Sequence, residues 1–268
     1  GFPFMKDPDL VLCLPFDEGE GDIAYDKSAN GNDGTLVNMG AEDWVDGVIG
    51  KALDFDAEDD QVTSNLIYAN NPSFTVACWI YPRGHSEYFG PIVGTGYGNS
   101  MRSGLGLMSN NKLYYIDHSF VYLIKELILN NWYHVGFTYN NGIIKGYVNG
   151  IEVVSFSHTK DVTSATTIIG RAITIVGDTY RAFDGIIDEP RIYKRAITAA
   201  EMKLLADSPR NGFRLVAGKD HTYEHAFTDR AIVDFEKVFE DGEEYTEKGS
   251  INDVEDTAST FFFNTDTK

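Results

Sequence analysis

The chain has 268 residues, with 41 Asp and Glu against 22 Lys and Arg, a formal net charge of -19 and a pI near 4.5. That balance leaves no stripe of Lys and Arg to neutralise phosphates, which argues against nucleic acid and anionic membranes as partners, and no apolar run approaches the ~20 residues of a membrane helix, so no membrane insertion is expected. Aromatics at 13% lean towards an all-β class, and two cysteines are too few for a disulfide framework.

In chain order, Leu10 to Phe16 reads as a first strand, ended by Pro15 and the acidic turn from Asp17 to Gly21. A loop dense in Asn, Asp and Gly follows from Asp26 to Gly34, then a short strand from Thr35 to Val37. Lys51 to Asp56 alternates in character, and the turn Glu58-Asp59-Asp60 leads to another strand at Gln61. Phe74 to Tyr81 is a clean alternating strand that Pro82 should end. Cys78 shares its parity with Phe74, Val76 and Ile80, whereas Cys13 is out of phase with Leu12 and Leu14, so two free, buried or half-buried thiols are expected. Ile92-Val93, Gly104 to Met108 and Lys112 to Ile116 are shorter strand candidates.

The stretch from Trp132 to Phe156 holds three runs rich in Val, Ile, Tyr and Phe, separated by Asn140-Asn141-Gly142 and Asn149-Gly150. Those sequences supply the positive φ angles of tight hairpins, so a three-stranded meander is predicted. Tyr133, Val135, Phe137 and Tyr139 fall on one face and His134, Gly136 and Thr138 on the other, which predicts one buried side. Thr166 to Ile169 and Ala182 to Tyr193 are further strands, the latter interrupted near Pro190. Ile197 to Ala206 reads as the one helix, with Thr198 and Glu201 at capping-box spacing.

Several pieces occur in order: LxLPFDEGEG, DxSANGNDGTL, WVDGVIGKALDFD, FTVACWIYP, NWYHVGFTY, KGYVNG, FDGIIDEPRIYKRAIT and EMKLL. Together they resemble the laminin-G-like, concanavalin A-like lectin-glucanase jelly-roll domain over about residues 10 to 206. The resemblance implies a two-sheet antiparallel jelly-roll sandwich with one short C-terminal helix, one sheet concave and the terminal strands side by side. It also implies that Trp79, Trp132 and Phe183 are framework. The expected organisation is an N-terminal arm over 1–9, the jelly roll over 10–207 and an acidic extension over 208–268, part of a further β-rich module that resembles those of phage tail and virion proteins. Its last strand-like run, from Thr260, has nothing following to pair with, so the chain is expected to continue or to pair with a neighbouring subunit.

Catalytic constellations are missing. Glycosidases on this fold need two acids on one strand at short spacing; Asp54 and Asp56 come closest but run into a solvated turn, and adjacent Asp188 and Glu189 point to opposite faces. His221 and His225 share i, i+4 spacing with Glu224, but no helix is predicted there and the second half of a zinc-hydrolase motif is absent. His134 is expected to be a satisfied, half-buried framework residue. No G-x-S-x-G elbow, P-loop or dinucleotide fingerprint occurs.

Two site expectations remain. Sugar rings stack on exposed aromatic faces while nearby polar groups take their hydroxyls, which makes Tyr88, Tyr97, Tyr115, His118 and Tyr180 candidate ligand-binding residues; the alternative is that they cover the ends of the sandwich. Asp26, Ser28 and Asn30 stand at alternate positions of a tight loop with Gly31 behind them, the opening of an oxygen-ligand calcium loop that lacks its closing Glu. The resemblance implies that Asp188 supplies the missing carboxylate, with Asn30, Asn32 and the carbonyls near Gly34 completing a structural Ca²⁺ shell; the alternative is that Asp26 and Asn30 only cap the turn.

The leading expectation is therefore a non-catalytic binding or adhesion module directed at a glycan or surface protein, extracellular, cell-surface or virion-borne. A structural assembly module of a virion or tail-like particle, joined to itself or a neighbouring subunit through the C-terminal segment, is the alternative. A glycoside hydrolase or polysaccharide lyase ranks third.

Overall fold

The computed structural model describes residues 7–85, 89–97, 100–108, 111–117, 120–159, 165–171 and 181–207, and four short strands beyond them. The chain divides into two compact units, Gly1–Ala206 and Asp207–Lys268. In the second, Val216–Ala217 pairs with Tyr223–Glu224 and Val238–Glu240 with Glu243–Tyr245. The terminal strand expected from Thr260, and His221 and His225, lie outside the described residues.

The strands of the first unit are β1 (Leu10–Cys13), β2 (Ile23–Ala24), β3 (Gly34–Val37), β4 (Trp44–Asp46), β5 (Lys51–Asp56), β6 (Gln61–Ser64), β7 (Ser73–His85) and β8 (Phe89–Tyr97). They continue as β9 (Ser100–Met108), β10 (Lys112–Asp117), β11 (Phe120–Glu126), β12 (Tyr133–Asn140), β13 (Ile143–Val148), β14 (Ile151–Ser157), β15 (Thr166–Ile169) and β16 (Phe183–Tyr193), before helix α1 (Ala199–Asp207). The first sheet runs β14-β13-β12-β7-β16-β5-β4 with β1 also on β16, and the second runs β11-β10-β9-β8-β15-β6-β3-β2. Every described pairing is antiparallel, and β1 lies beside β16, so the first and last strands of the sandwich are neighbours. This is the jelly-roll class read from the sequence.

Between the sheets lies an aromatic-rich core. Phe74 packs edge-on against Tyr68 and Phe137, and Phe137 against Tyr115 at 4.9 Å between centroids, with Phe16, Phe55 and Phe183 also fully buried. The meander forms where its turns dictate: Asn141, Gly142, Asn149 and Gly150 all have positive φ, the conformation that tight turns demand and these residues tolerate.

Three expectations are corrected. The second face of β12 is buried too, because α1 lays Met202 and Leu205 over Cys13, Ala77, Tyr147 and Tyr193 on the outside of the first sheet. That helix seats on glycine: a Cβ at Gly136 would stand 2.9 Å from Met202 Cε, and one at Gly150 2.8 Å from Lys203 Cα. Strand β7 does not stop at Pro82 but runs to His85, since Pro82 lies opposite Gly185 beside an irregularity in the ladder, where its missing N–H is tolerated. Strand β16 likewise passes through Pro190, absorbing it in a bulge at which Glu189 takes φ 52.

Candidate functional site: the open half of the first sheet

The Asp26 loop is closed by protein donors. Asp26 Oδ1 accepts from the backbone N–H of Cys13 and Ser28 at 2.9 Å each, and Oδ2 accepts from Ser28 Oγ at 2.6 Å and Asn32 N at 2.8 Å. Asn30 and Asn32 turn their amide nitrogens onto the carbonyls of Leu10 and Val11, and Gly34 sits in the β2–β3 ladder opposite Ala24. Asp188 works elsewhere: its Oδ2 accepts from Val48 N and Ile49 N at 2.8 and 3.0 Å, holding the Gly47–Gly50 turn. The five residues therefore do not fit one calcium shell. Four of them tie the loop to β1 and β3, and the fifth ties a different loop to β16. Asp188 Oδ1 is buried without a hydrogen-bond partner. Burial, the largest cause, pushes the Asp188 carboxyl up to about 8, against the two N–H groups that lower it.

Of the aromatic candidates, Tyr88, His118 and Tyr180 lie outside the described residues, as does the side chain of Tyr97. Tyr115 is fully buried, with its hydroxyl 3.1 Å from Ser103 Oγ, so it offers no face to a sugar. Alternation in β10 turns Leu113 and Tyr115 inwards and leaves half-buried Tyr114 on the outer face of the second sheet. The two histidines whose side chains are described, His134 and His158, are interior as well. His134 has an Nδ1 without a partner and is kept neutral by burial, which pulls its pKa down to about 3 with the Arg191 charge adding to the effect; the expectation of a satisfied histidine is corrected. His158 Nε2 lies 2.8 Å from Asp117 Oδ2 and its Nδ1 3.3 Å from the Tyr122 hydroxyl, under the Phe120 ring. Both His158 and Asp117 are buried, so this polar link stiffens the sandwich edge.

The half of the first sheet's outer face that α1 leaves uncovered is open to solvent. Trp132 and Tyr81 are both half-buried, with centroids 5.6 Å apart and planes tilted by 57°. In the ladder Tyr81 stands opposite Ile186 and Ile186 opposite Asp54, so these side chains form one row across β7, β16 and β5. Two residues along β7, Arg83 donates from Nε to Asp184 Oδ1 and from Nη1 to Asp54 Oδ2, each at 2.9 Å, and from Nη2 to Asp54 Oδ1 and to the carbonyl of Phe55. These charged side chains stay accessible, at 34% for Arg83, 27% for Asp54 and 34% for Asp184. Trp132, expected as framework, is thus part of the open surface. Its parity with outward-facing His134 and Gly136 was the available signal; the partners of Arg83 left none, being 29 and 101 residues away in sequence.

The face can do two things chemically. Its rings offer apolar surfaces at an angle to one another, and its carboxylates offer acceptor lone pairs fixed by the guanidinium between them. With Trp132, just ahead of β12, the row crosses four strands and is about 14 Å wide, the length of two to three sugar rings. The Asp56–Asp60 turn beside it groups the oxygens of Asp56, Asp59 and Asp60 within 4.8 Å, but it is an internally bonded turn in which Asp60 Oδ2 accepts from Asp56 N and Asp56 Oδ1 from Glu58 N.

Two eight-stranded antiparallel sheets around one core, with a helix across half of one outer face, define a jelly-roll of the lectin and glucanase kind. Residues 56–203 match the Laminin_G_3 model of the concanavalin A-like lectin/glucanases superfamily, and the chain belongs to that superfamily. No curated protein sequence matches it. Among solved structures it is similar to domain 4 of AbnA, a GH43 extracellular arabinanase from Geobacillus stearothermophilus in complex with arabinotriose, at 23% identity and TM-score 0.58 over 74% of this chain and 98% of that one. It is similar also to Trypanosoma rangeli sialidase with 2,3-difluorosialic acid, at 16% identity and TM-score 0.60 over 76% of this chain and 33% of that one. The binding domain of Paraclostridial Mosquitocidal Protein 1 aligns at 17% identity and TM-score 0.58 over 76% and 53%. The chain thus spans about a third of the sialidase and half of the toxin fragment, and identities this low speak for the fold alone.

Proposed function

We propose that the chain is a non-catalytic carbohydrate-binding module that takes its ligand on the open face of Trp132, Tyr81, Asp54, Arg83 and Asp184, and that it acts outside the cell or on a cell or particle surface. The observation that carries the reading is the tilted Trp132–Tyr81 pair beside accessible carboxylates on a rigid sheet, the pairing of stacking surface and oriented acceptors that a sugar ring requires. The arabinanase domain captured with arabinotriose lends the fold precedent. Asp54 and Asp184 share one guanidinium, which suits fixed acceptors better than a proton donor facing a nucleophile. The full chain on a glycan array should give binding that Trp132→Ala lowers at least tenfold. Release of reducing ends from a bound polysaccharide, lost on substitution of an Asp or Glu, would overturn the non-catalytic reading.

A further inference from the structure

The charge arrangement on this face narrows its ligand. Arg83 has five N–H donors, and four of them are spent inside the protein, on both oxygens of Asp54, on Asp184 Oδ1 and on the carbonyl of Phe55. Its pKa is pushed up, first by the Asp54 hydrogen bond, so its charge belongs to its two aspartates. One cation between two carboxylates leaves the trio with a net charge of one minus (+1 - 2 = -1). The surroundings deepen that sign. Asp56 stands opposite Asp184 in the ladder, and Asp43 lies close enough to Asp54 and Asp56 for their charges to raise its own pKa, behind burial as the main cause. The chain as a whole carries -19.

We infer that this face selects uncharged glycans and excludes uronates, sialic acids and sulfated chains, an inference that rests on the binding-module reading above. A ligand carboxylate arriving beside Tyr81 meets like charges on two strands, β5 and β16, and finds no uncommitted guanidinium among the described side chains of this face, so it loses a partner in water and gains none. A neutral sugar brings hydroxyl donors instead. Each aspartate has about four lone-pair positions, of which the described bonds use two on Asp54 and one on Asp184. Vicinal hydroxyls on a ring stacked against Trp132 or Tyr81 donate into the remainder. Like charges a few ångströms apart at a protein surface repel strongly enough to separate the two classes by tenfold or more.

The test is titration calorimetry of the full chain against paired probes: neutral arabinan, galactan, β-glucan and mannan oligosaccharides, and acidic oligogalacturonate, alginate, sialyllactose and heparin oligosaccharides. The expected result is binding within the neutral set only, weakened at least tenfold by Trp132→Ala and by Tyr81→Ala, and unchanged between low and molar salt because no ion pair forms with the ligand. Trp132→Phe, which keeps a ring, should retain most of the binding and so separate lost stacking from misfolding. An acidic probe bound through Trp132 would overturn this inference while leaving the binding-module reading in place. Binding by neither set would overturn the binding-module reading itself.

Discussion

Replacing Asp26 with Ala removes the acceptor of four hydrogen bonds, from Cys13 N, Ser28 N, Ser28 Oγ and Asn32 N. The costliest is the first, because Cys13 is fully buried in β1 and its N–H is left without a partner. An orphaned buried donor costs about 1–3 kcal/mol and each of the outer bonds somewhat under 1, so the sum is about 3 kcal/mol. In a unit of about 200 residues each kcal/mol moves the midpoint by about 2–4 °C, which gives a fall of roughly 6–12 °C in a calorimetric melt. Ser28→Ala, losing one bond of the four and the two exposed bonds that Ser28 Oγ accepts from Asn30, should fall about half as far or less. Chelator should move neither the native chain nor the variants, since protein donors already fill the carboxylate. A drop within about 2 °C for Asp26→Ala, or a chelator-induced drop in the native chain that Asp26→Ala abolishes, would refute this and show that a cation is the partner.

Two buried groups set opposing pH trends. Asp188 titrates at about 8 in the fold against about 4 when unfolded, so between those values the native state holds a proton the unfolded chain has released, and stability falls as pH rises. Asp188→Asn should remove that slope, and parallel stability curves for the two proteins from pH 4 to 8 would contradict it. His134, at about 3 in the fold, gives the reverse: the unfolded chain takes up a proton below about 6.5, so stability falls as pH drops, and His134→Gln should flatten the acid limb of a denaturant series. Gly150→Ala places a Cβ 2.8 Å from the backbone of α1 at a φ of +75 and should cost more than about 1 kcal/mol, read as a lower melting midpoint; an unchanged midpoint would mean that the helix is not seated there. A chain ended at Asp207 should keep one cooperative near-ultraviolet melt, because the two large sheets lie within the first unit and α1 ends at Asp207.

Much of this was legible in the sequence where the physics is local. Asn-Gly pairs placed both turns of the β12–β14 meander, and Thr198 and Glu201 form the reciprocal cap their spacing announced, Glu201 N to Thr198 Oγ1 at 3.2 Å and Thr198 N to Glu201 Oε2 at 2.6 Å. What was not legible depends mostly on partners supplied from far along the chain. Cys13 and Cys78 are free and buried, as expected, but the reason for Cys13, out of phase with the core, lies outside its own strand: α1 covers the other face of β1. Tyr114 and Tyr115 are adjacent and equivalent as letters; which of them turns inwards depends on the register of β10 between β9 and β11. The loop of Asp26, Ser28 and Asn30 matched a calcium pattern, and in the structure both carboxylate oxygens of Asp26 accept from N–H groups of β1 and of the loop itself, the capping alternative. Strand β11 was not anticipated at all, since it lacks clean alternation and leaves Phe120, Val121 and Leu123 exposed.

The most direct test of the central claim uses the three tryptophans as reporters. Trp44 and Trp79 are buried, with Trp44 Nε1 donating to the Gly21 carbonyl, whereas Trp132 lies half-open beside Tyr81. In ¹⁵N–¹H spectra of the full chain, titrated with the neutral oligosaccharide that binds most strongly on the array, the Trp132 indole resonance should shift in a saturable manner while those of Trp44 and Trp79 stay in place. A saturable shift confined to resonances of the second sheet, with Trp132 unmoved, would contradict the assignment of this face as the binding site.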